Sequence, residues 1–280
     1  MRATTVVSMP PVTGEDLDAV TALVRTLNWP HRQEDIALFM RLGRGRIVRD
    51  DPDGRMLGVA LWWTFGDRLA RLGLVMIDPE SQGLGIGRRL VERILDDAAG
   101  RTMILLATDA GLPLYERLGF ETIGANRQIQ GSYTGRPGHD PMVRPATSED
   151  LPAILALDAE AAGADRVDLL QALIEIGRSF VVVDHGRVAG YAIERTFGRG
   201  SIVGPIVAES ESEAIRLFTA AARPGFTRVD CPSDATRLAA HLEAVGLVAL
   251  EGESPVMVRG SWRPPEGRQH IFALSSHALG

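Results

Sequence analysis

Three alternating glycines interrupt "VMIDPESQGLGIGRRLVERIL", residues 75–95, between an apolar strand-like run and a helix-like run. A turn of this kind suits a phosphate. The first N–H groups of a helix have no carbonyl partner and lie at the positive end of its dipole, and glycine keeps β-carbons out of an anion's path. Two familiar phosphate loops are excluded by position. A dinucleotide fingerprint needs G-x-G-x-x-G, but counting from Gly83 the last place holds Arg88, and counting from Gly85 it holds Leu90. A P-loop needs a lysine, and the chain contains none, which also excludes lysine Schiff-base chemistry. What remains is an anion-holding turn whose backbone donors face the ligand, with Arg88 adding charge in the first helical turn. The competing reading is a tightly packed strand-to-helix connection with no ligand.

The elements that must position this turn occur twice. "PVTGEDL" at 11–17 returns as "PATSEDL" at 145–151, each with a threonine three residues ahead of an aspartate, a capping-box-like helix start. "GVALWWTFG" at 58–66 returns as "GYAIERTFG" at 190–198, and "RLGF" at 117–120 as "AVGL" at 244–247, in the same order. This preserved order reads as a tandem duplication. In the first copy, alternation predicts strands near 46–48, 56–64, 69–77, 103–106 and 121–124. Helical spacing predicts helices near 15–27, 34–42, 85–99 and 112–118. The class is mixed α/β, with domains at 1–135 and 142–280 and the glycine- and proline-rich stretch 131–141 as the connection. The segment "HIFAL" near the C-terminus is expected to complete the second sheet.

Composition narrows the function. A net charge of -6 argues against general nucleic-acid binding, which needs a basic face. No apolar run approaches the roughly 20 residues that cross a bilayer, and the N-terminus lacks a secretory pattern, so no membrane association and a cytoplasmic location are expected. The single cysteine, Cys231, excludes an intrachain disulfide, fits a reducing compartment, and reads as buried and structural rather than nucleophilic. Six histidines show no metal-ligand spacing, so no metal is expected.

Gln82, Gly83, Leu84, Gly85, Ile86 and Gly87, together with "LYERLGF" downstream, resemble the [QR]-x-x-G-x-[GA] loop and later tyrosine of the GNAT superfamily of acyl-CoA-dependent N-acyltransferases. The resemblance covers residues 11–129. It implies two tandem GNAT-like domains, each a central, mostly antiparallel mixed sheet flanked by helices. It also implies acetyl-CoA as cosubstrate, its pantetheine arm on Val75, Met76 and Ile77 and its pyrophosphate on the backbone of Gln82 to Arg88. An amine of a small molecule then attacks the thioester directly, and proximity supplies much of the rate. Tyr115 matches the family's tyrosine near the sulfur and is assigned as general acid; the alternative is a ring packed under the sheet. Asp109 stands near a usual CoA-contacting asparagine, or caps the helix that starts near Leu112. The family's acceptor pocket falls on "NWPHRQED", residues 28–35. Trp29 would supply a wall there, and His31 a base unless it is simply solvated. Trp62 and Trp63 alternate on a strand, so one is expected to face the core and the other, taken as Trp62, the acceptor.

The second copy lacks the loop. "SESEAIRLF" has neither glycines nor glutamine in register, Glu209, Glu211 and Glu213 would repel a pyrophosphate, and Leu242 or a neighbour replaces Tyr115. This half is expected to have lost the cofactor and to pack on the first, wall the acceptor site or support a homodimer. The rival to an enzyme is a non-catalytic acyl-CoA or metabolite sensor using the same loop.

Overall fold

The computed structural model describes residues 8–50, 54–135 and 140–280. The first seven residues of the stretch read as lacking a secretory signal, and residues 136–139 of the expected connection, lie outside these. The first half runs α1 (Leu17–Thr26), α2 (Gln33–Leu42), β1 (Arg44–Arg49), β2 (Met56–Phe65), β3 (Leu69–Ile77), α3 (Ile86–Asp97), β4 (Thr102–Leu106), α4 (Leu112–Arg117) and β5 (Glu121–Tyr133). The second opens with β6 (Val143–Pro145), α5 (Leu151–Ala162), α6 (Val167–Ile176), β7 (Arg178–Asp184), β8 (Arg187–Phe197) and β9 (Gly200–Ala208). It closes with α7 (Glu211–Ala221), β10 (Gly225–Pro232), α8 (Thr236–Ala244), β11 (Val248–Ala249), β12 (Ser254–Arg259) and β13 (His270–Ala273).

The echoes are structural. Thr13 with Asp16 and Thr147 with Asp150 each close a reciprocal capping box, satisfying donors that a helix start leaves free. Phe120 N–H donates to Tyr115 O at 3.0 Å, and Leu247 N–H to Leu242 O at 3.1 Å, so Leu242 occupies the place of Tyr115.

The described strands form one sheet in the order β1-β2-β3-β4-β12-β5-β10-β9-β8-β7-β6, with β11 on β5 and β13 on β9. The halves exchange strands. β12, from the second half, sits between β4 and β5 of the first; β5 runs on past Asn126 to pair with β10 and β11 of the second. Gly131, Ser132 and Tyr133, expected in the connection, therefore belong to β5, opposite Thr227, Phe226 and Gly225. Side chains follow the exchange. Met257 of β12 is buried with α3 and α4 of the first half, whereas Ile129 and Tyr133 of β5 are buried with α7 and α8 of the second. On the opposite face α1, α2, α5 and α6 share one core that includes Phe39, Trp63, Leu173 and Tyr191. That common front core and the two separate back cores define the layers.

Because β12 is packed into the other half, Met257→Ala is expected to cost about 2–5 kcal/mol and to lower the urea midpoint of the whole chain in one step. Tryptophan emission and far-UV dichroism should report the same shift; two separated transitions would mean that the halves fold independently.

Candidate active site

β3 and β4 run parallel but pair only at Leu69/Thr102, Ala70/Met103 and Arg71/Ile104, then part. At the opening Leu74 has a φ of 50°, a left-handed conformation uncommon for a branched side chain, beside the register shift between Val59 and Leu61 on β2. The strands open onto a cleft of ≈ 730 Å³. Val75, Met76 and Ile77 form one wall, Gln82, Gly83, Gly85, Ile86, Gly87 and Arg88 the turn, Thr108, Ala110, Gly111 and Tyr115 the far side, and Trp29 the mouth. The strand, the glycine turn and the tyrosine, separate in sequence, therefore share one cavity.

Gly83 and Gly85 have φ values of 76° and 75°, where a β-carbon would meet no protein atom within 4 Å. The backbone conformation itself selects glycine there. Gly85 caps α3 without a side-chain bond, and the first N–H to reach a carbonyl is that of Arg89, onto Gly85 O at 3.2 Å. The donors ahead of it are left to the cleft. Gln82 Nε2 ties the turn to Ile77 O at 3.3 Å. Arg88 donates to Glu92 at 2.8 Å. The side chain of Leu84 is 60% exposed and stands outside the lining, so only its backbone is placed to contribute.

The Tyr115 ring is buried against Phe120, with centroids 5.7 Å apart, and among the described residues its hydroxyl has no protein partner. Burial pushes the phenol up to about 12, so it keeps its proton at neutral pH.

Three expectations are corrected. Trp62 does not face an acceptor: it is buried on the α3 side of the sheet with the Arg44 guanidinium 5.5 Å from its ring centroid. Trp63 is buried on the other face, its indole donating to Phe39 O at 3.0 Å, so the alternation is real but both faces are covered. Asp109 is exposed and neither lines the cleft nor caps α4; Thr108 takes that place, its hydroxyl accepting from Gly111 N–H at 3.2 Å. Nor is His31 a solvated loop histidine. It stands edge-on to Trp29, Phe39 and Phe197, and burial, followed by the Arg228 charge, lowers it to about 4, against the opposing pull of Asp35 and Asp230.

In the second half β9 and β10 part in the same way, after Ser201/Thr227 and Ile202/Arg228. Here the opening is filled. β13 pairs along β9 from Ala208 to Ile206, and Leu274 N–H donates to Asp230 O at 2.8 Å. Ser210 and Glu213 cap α7 reciprocally, and Glu213 also takes the N–H of Glu209 at 3.0 Å. Glu211 accepts from Leu238 N–H at 2.7 Å, and Glu209 pairs with Arg268 at 2.6 Å. The acids read as repellent thus act as caps and struts. Cys231 is buried, and desolvation pushes its thiol up to about 12, as suits a structural residue.

Sequence reasoning missed a polar cluster on the front face: Asn126, Arg228, Asp230 and His277. Arg228 and Asp230 are two apart on one strand and bonded twice at 2.8 Å, a spacing the alternation does carry. Nothing in the sequence places Asn126 and His277 beside them.

A parallel strand pair that parts beside a helix start is built twice along the chain, over a glycine turn in the first half and a serine cap in the second, which defines a tandem fold. Acetyltransferase (GNAT) domain families match residues 43–122 and 154–273. Over 275 residues the chain is 31% identical to the uncharacterized N-acetyltransferase YitH of Bacillus subtilis, spanning 95% of this chain and 96% of that one. The chain belongs to the GNAT acetyltransferase family. Solved structures share the fold. A candidate acetyltransferase of Pyrococcus horikoshii superposes with a TM-score of 0.80 at 18% identity over 99% of this chain and 96% of that one. A tandem GNAT protein of the clavulanic acid pathway superposes at 0.67 with 16% identity, over 92% and 100%.

The lowered His31 pKa has a stability consequence. Between about pH 6.5 and pH 4 the unfolded chain carries a proton on residue 31 that the folded chain refuses. Stability is therefore full above this window and falls as the pH drops through it, by up to about 3 kcal/mol. His31→Gln should lose less stability than the wild type between pH 7 and pH 5 in urea unfolding; equal losses would assign the titration to other groups.

Proposed function

We propose that the protein is an N-acetyltransferase that moves an acetyl group from acetyl-CoA to a primary amine of a small molecule by direct attack. The observation that carries this reading is that unpaired backbone donors of the glycine turn and the unpartnered Tyr115 hydroxyl open onto the same cleft. The fit to acetyl-CoA rests on those donors and on the unpaired edge of β3. Val75, Met76 and Ile77 would hold the pantetheine arm, and the backbone of Gln82 to Arg88 the pyrophosphate. Bound there, acetyl-CoA supplies an acyl group already activated as a thioester.

The residues do the rest. β3 and α4 fix the thioester in a near-attack position, which turns an encounter into a unimolecular step. A phenol raised to about 12 lies well above an ordinary thiol near 8.5. Tyr115 therefore acts first as a hydrogen-bond donor that stabilises developing charge on the leaving sulfur, and only secondarily as a full proton donor. Trp29 walls the mouth where the amine enters. The acidic balance of the chain suits a cationic acceptor.

Calorimetry with acetyl-CoA should give one site per chain, since the second opening is filled by β13; two equal sites would refute the division of labour. Gly85→Glu, which puts a charged side chain at a φ of 75°, should abolish that binding, and unchanged affinity would remove the turn from the site. Tyr115→Phe should lower kcat about 10²-fold in a thiol-release assay over an amine panel, with little change in acetyl-CoA affinity. Wild-type turnover in that variant would mean that the sulfur leaves without this hydroxyl.

A further inference from the structure

We infer that His277, brought over the sheet by the second half of the chain, is the base that takes the proton from the acceptor amine; the inference rests on the acyl-transfer reading above.

The strand registers place it. Val256 lies opposite Leu106, and Ser254 lies opposite Asn126, so the row through Asn126 and Ser254 continues to Thr108 on the cleft wall. Val229 and Cys231 of β10 face the back core, so Arg228 and Asp230 face the front, where α1 and α2 bound the amine's approach. Across this face runs a compact turn, closed by Gly280 N–H onto Ser276 O at 2.9 Å and Ser275 N–H onto Gly280 O at 3.0 Å. Its residue Ala278 rests on β3 just beyond the last residue paired with β4: a β-carbon at Gly73 would meet Ala278 Cα at 3.1 Å. The residue before it, His277, is thereby held between β3 and Asn126 of β5.

Its tautomer is fixed. His277 Nε2 lies 3.1 Å from Asn126 Oδ1, which can only accept, so Nε2 carries the hydrogen and Nδ1 presents a lone pair. Among the described residues Nδ1 has no protein partner. Asp230 Oδ1 is 3.6 Å from Nε2, close enough to stabilise an imidazolium once it forms. Arg228 orients that carboxylate. His31, the other histidine of this face, is enclosed by three aromatic rings and lowered to about 4, a poor base at neutral pH. At His277 burial also lowers the imidazole; Asp230 opposes it, while the Arg228 and Arg71 charges add to the lowering. In the step, Nδ1 takes one proton from the ammonium. The freed amine forms the C–N bond as the C–S bond breaks, a second nitrogen proton ends on the thiolate, and His277 returns its own proton to water.

Bromoacetyl-CoA places an alkylating carbon where the acyl group sits. Wild-type protein treated with it and digested should carry the label on His277, and excess CoA should suppress it. CoA-protected label elsewhere, on His31 or Cys231 for instance, overturns the assignment, as does CoA binding by calorimetry with no label on His277. Absence of CoA binding overturns the acyl-CoA reading of the cleft and this assignment with it. His277→Gln should lower kcat about 10²-fold at unchanged acetyl-CoA affinity and unchanged Tm; undiminished kcat overturns the role.

Discussion

The parting of β3 from β4 beyond Arg71 and Ile104 is the constraint on which the rest of the molecule depends. Two parallel strands that separate inside a fold leave backbone N–H and C=O groups without partners, and buried groups of that kind must be paired by something. The chain contains this opening twice and answers it in two ways. Between β9 and β10 the answer is intramolecular: residues 270–274 of the same chain add a hydrogen-bonded strand to β9 and reach across to Asp230. Between β3 and β4 the edge borders a cleft of ≈ 730 Å³, so its completion is left to whatever binds. One half is therefore closed by its own chain, and the other is left with an open cleft.

The exchange of β5 and β12 ties the closed half to the open one. Without β12, β4 would lose its antiparallel neighbour, and the row that runs from Thr108 to Asn126 would not exist. Met257 and Val258 contribute to opposite faces of the first half's sheet, so the same strand also seals two cores. The turn at 275–280 follows from this arrangement, because its chain is already threaded into the second opening when it crosses the front face. Duplication here does not give two sites. It gives one open cleft, lined by the first copy and set beside a strand, β12, that the second copy supplies.

The sequence made the local parts of this legible. The glycine turn, the tyrosine, the capping boxes and the hairpins ending in Thr-Phe-Gly are set by residues within a turn or two of one another, and each stands where its spacing places it. What failed was non-local. "GSY" reads as linker because glycine and serine break strands, yet Gly131 to Tyr133 pair with β10, a partner about 95 residues away whose register no local pattern encodes. Trp62 and Trp63 follow the period of two, but whether a face meets solvent or a helix depends on layers that alternation alone does not describe. Asp109 fails for a smaller reason: Thr108, one residue earlier, has the geometry to bond Gly111 N–H and pre-empts it. His277 carried no signal because its neighbours are assembled only by the exchange.

The two helix starts at the openings differ in how their free donors are used. Charge repulsion by Glu209, Glu211 and Glu213 was the natural reason for the second half to have lost its ligand, yet these acids are bonded to N–H groups and to Arg268. Their effect is to use up the donors. α7 has a serine cap and two acids in its first turn, each acid contributing about 0.3–1 kcal/mol against the helix dipole. α3 has a glycine cap, no side-chain cap bond and no acid in its first turn. A helix that forgoes these local gains, in the same chain as a sister helix that takes all of them, is less stable than it needs to be for folding alone. The deficit sits at the open cleft, and an anion bound there would recover it, since the same unpaired donors that weaken the empty helix start are the ones that hold a pyrophosphate.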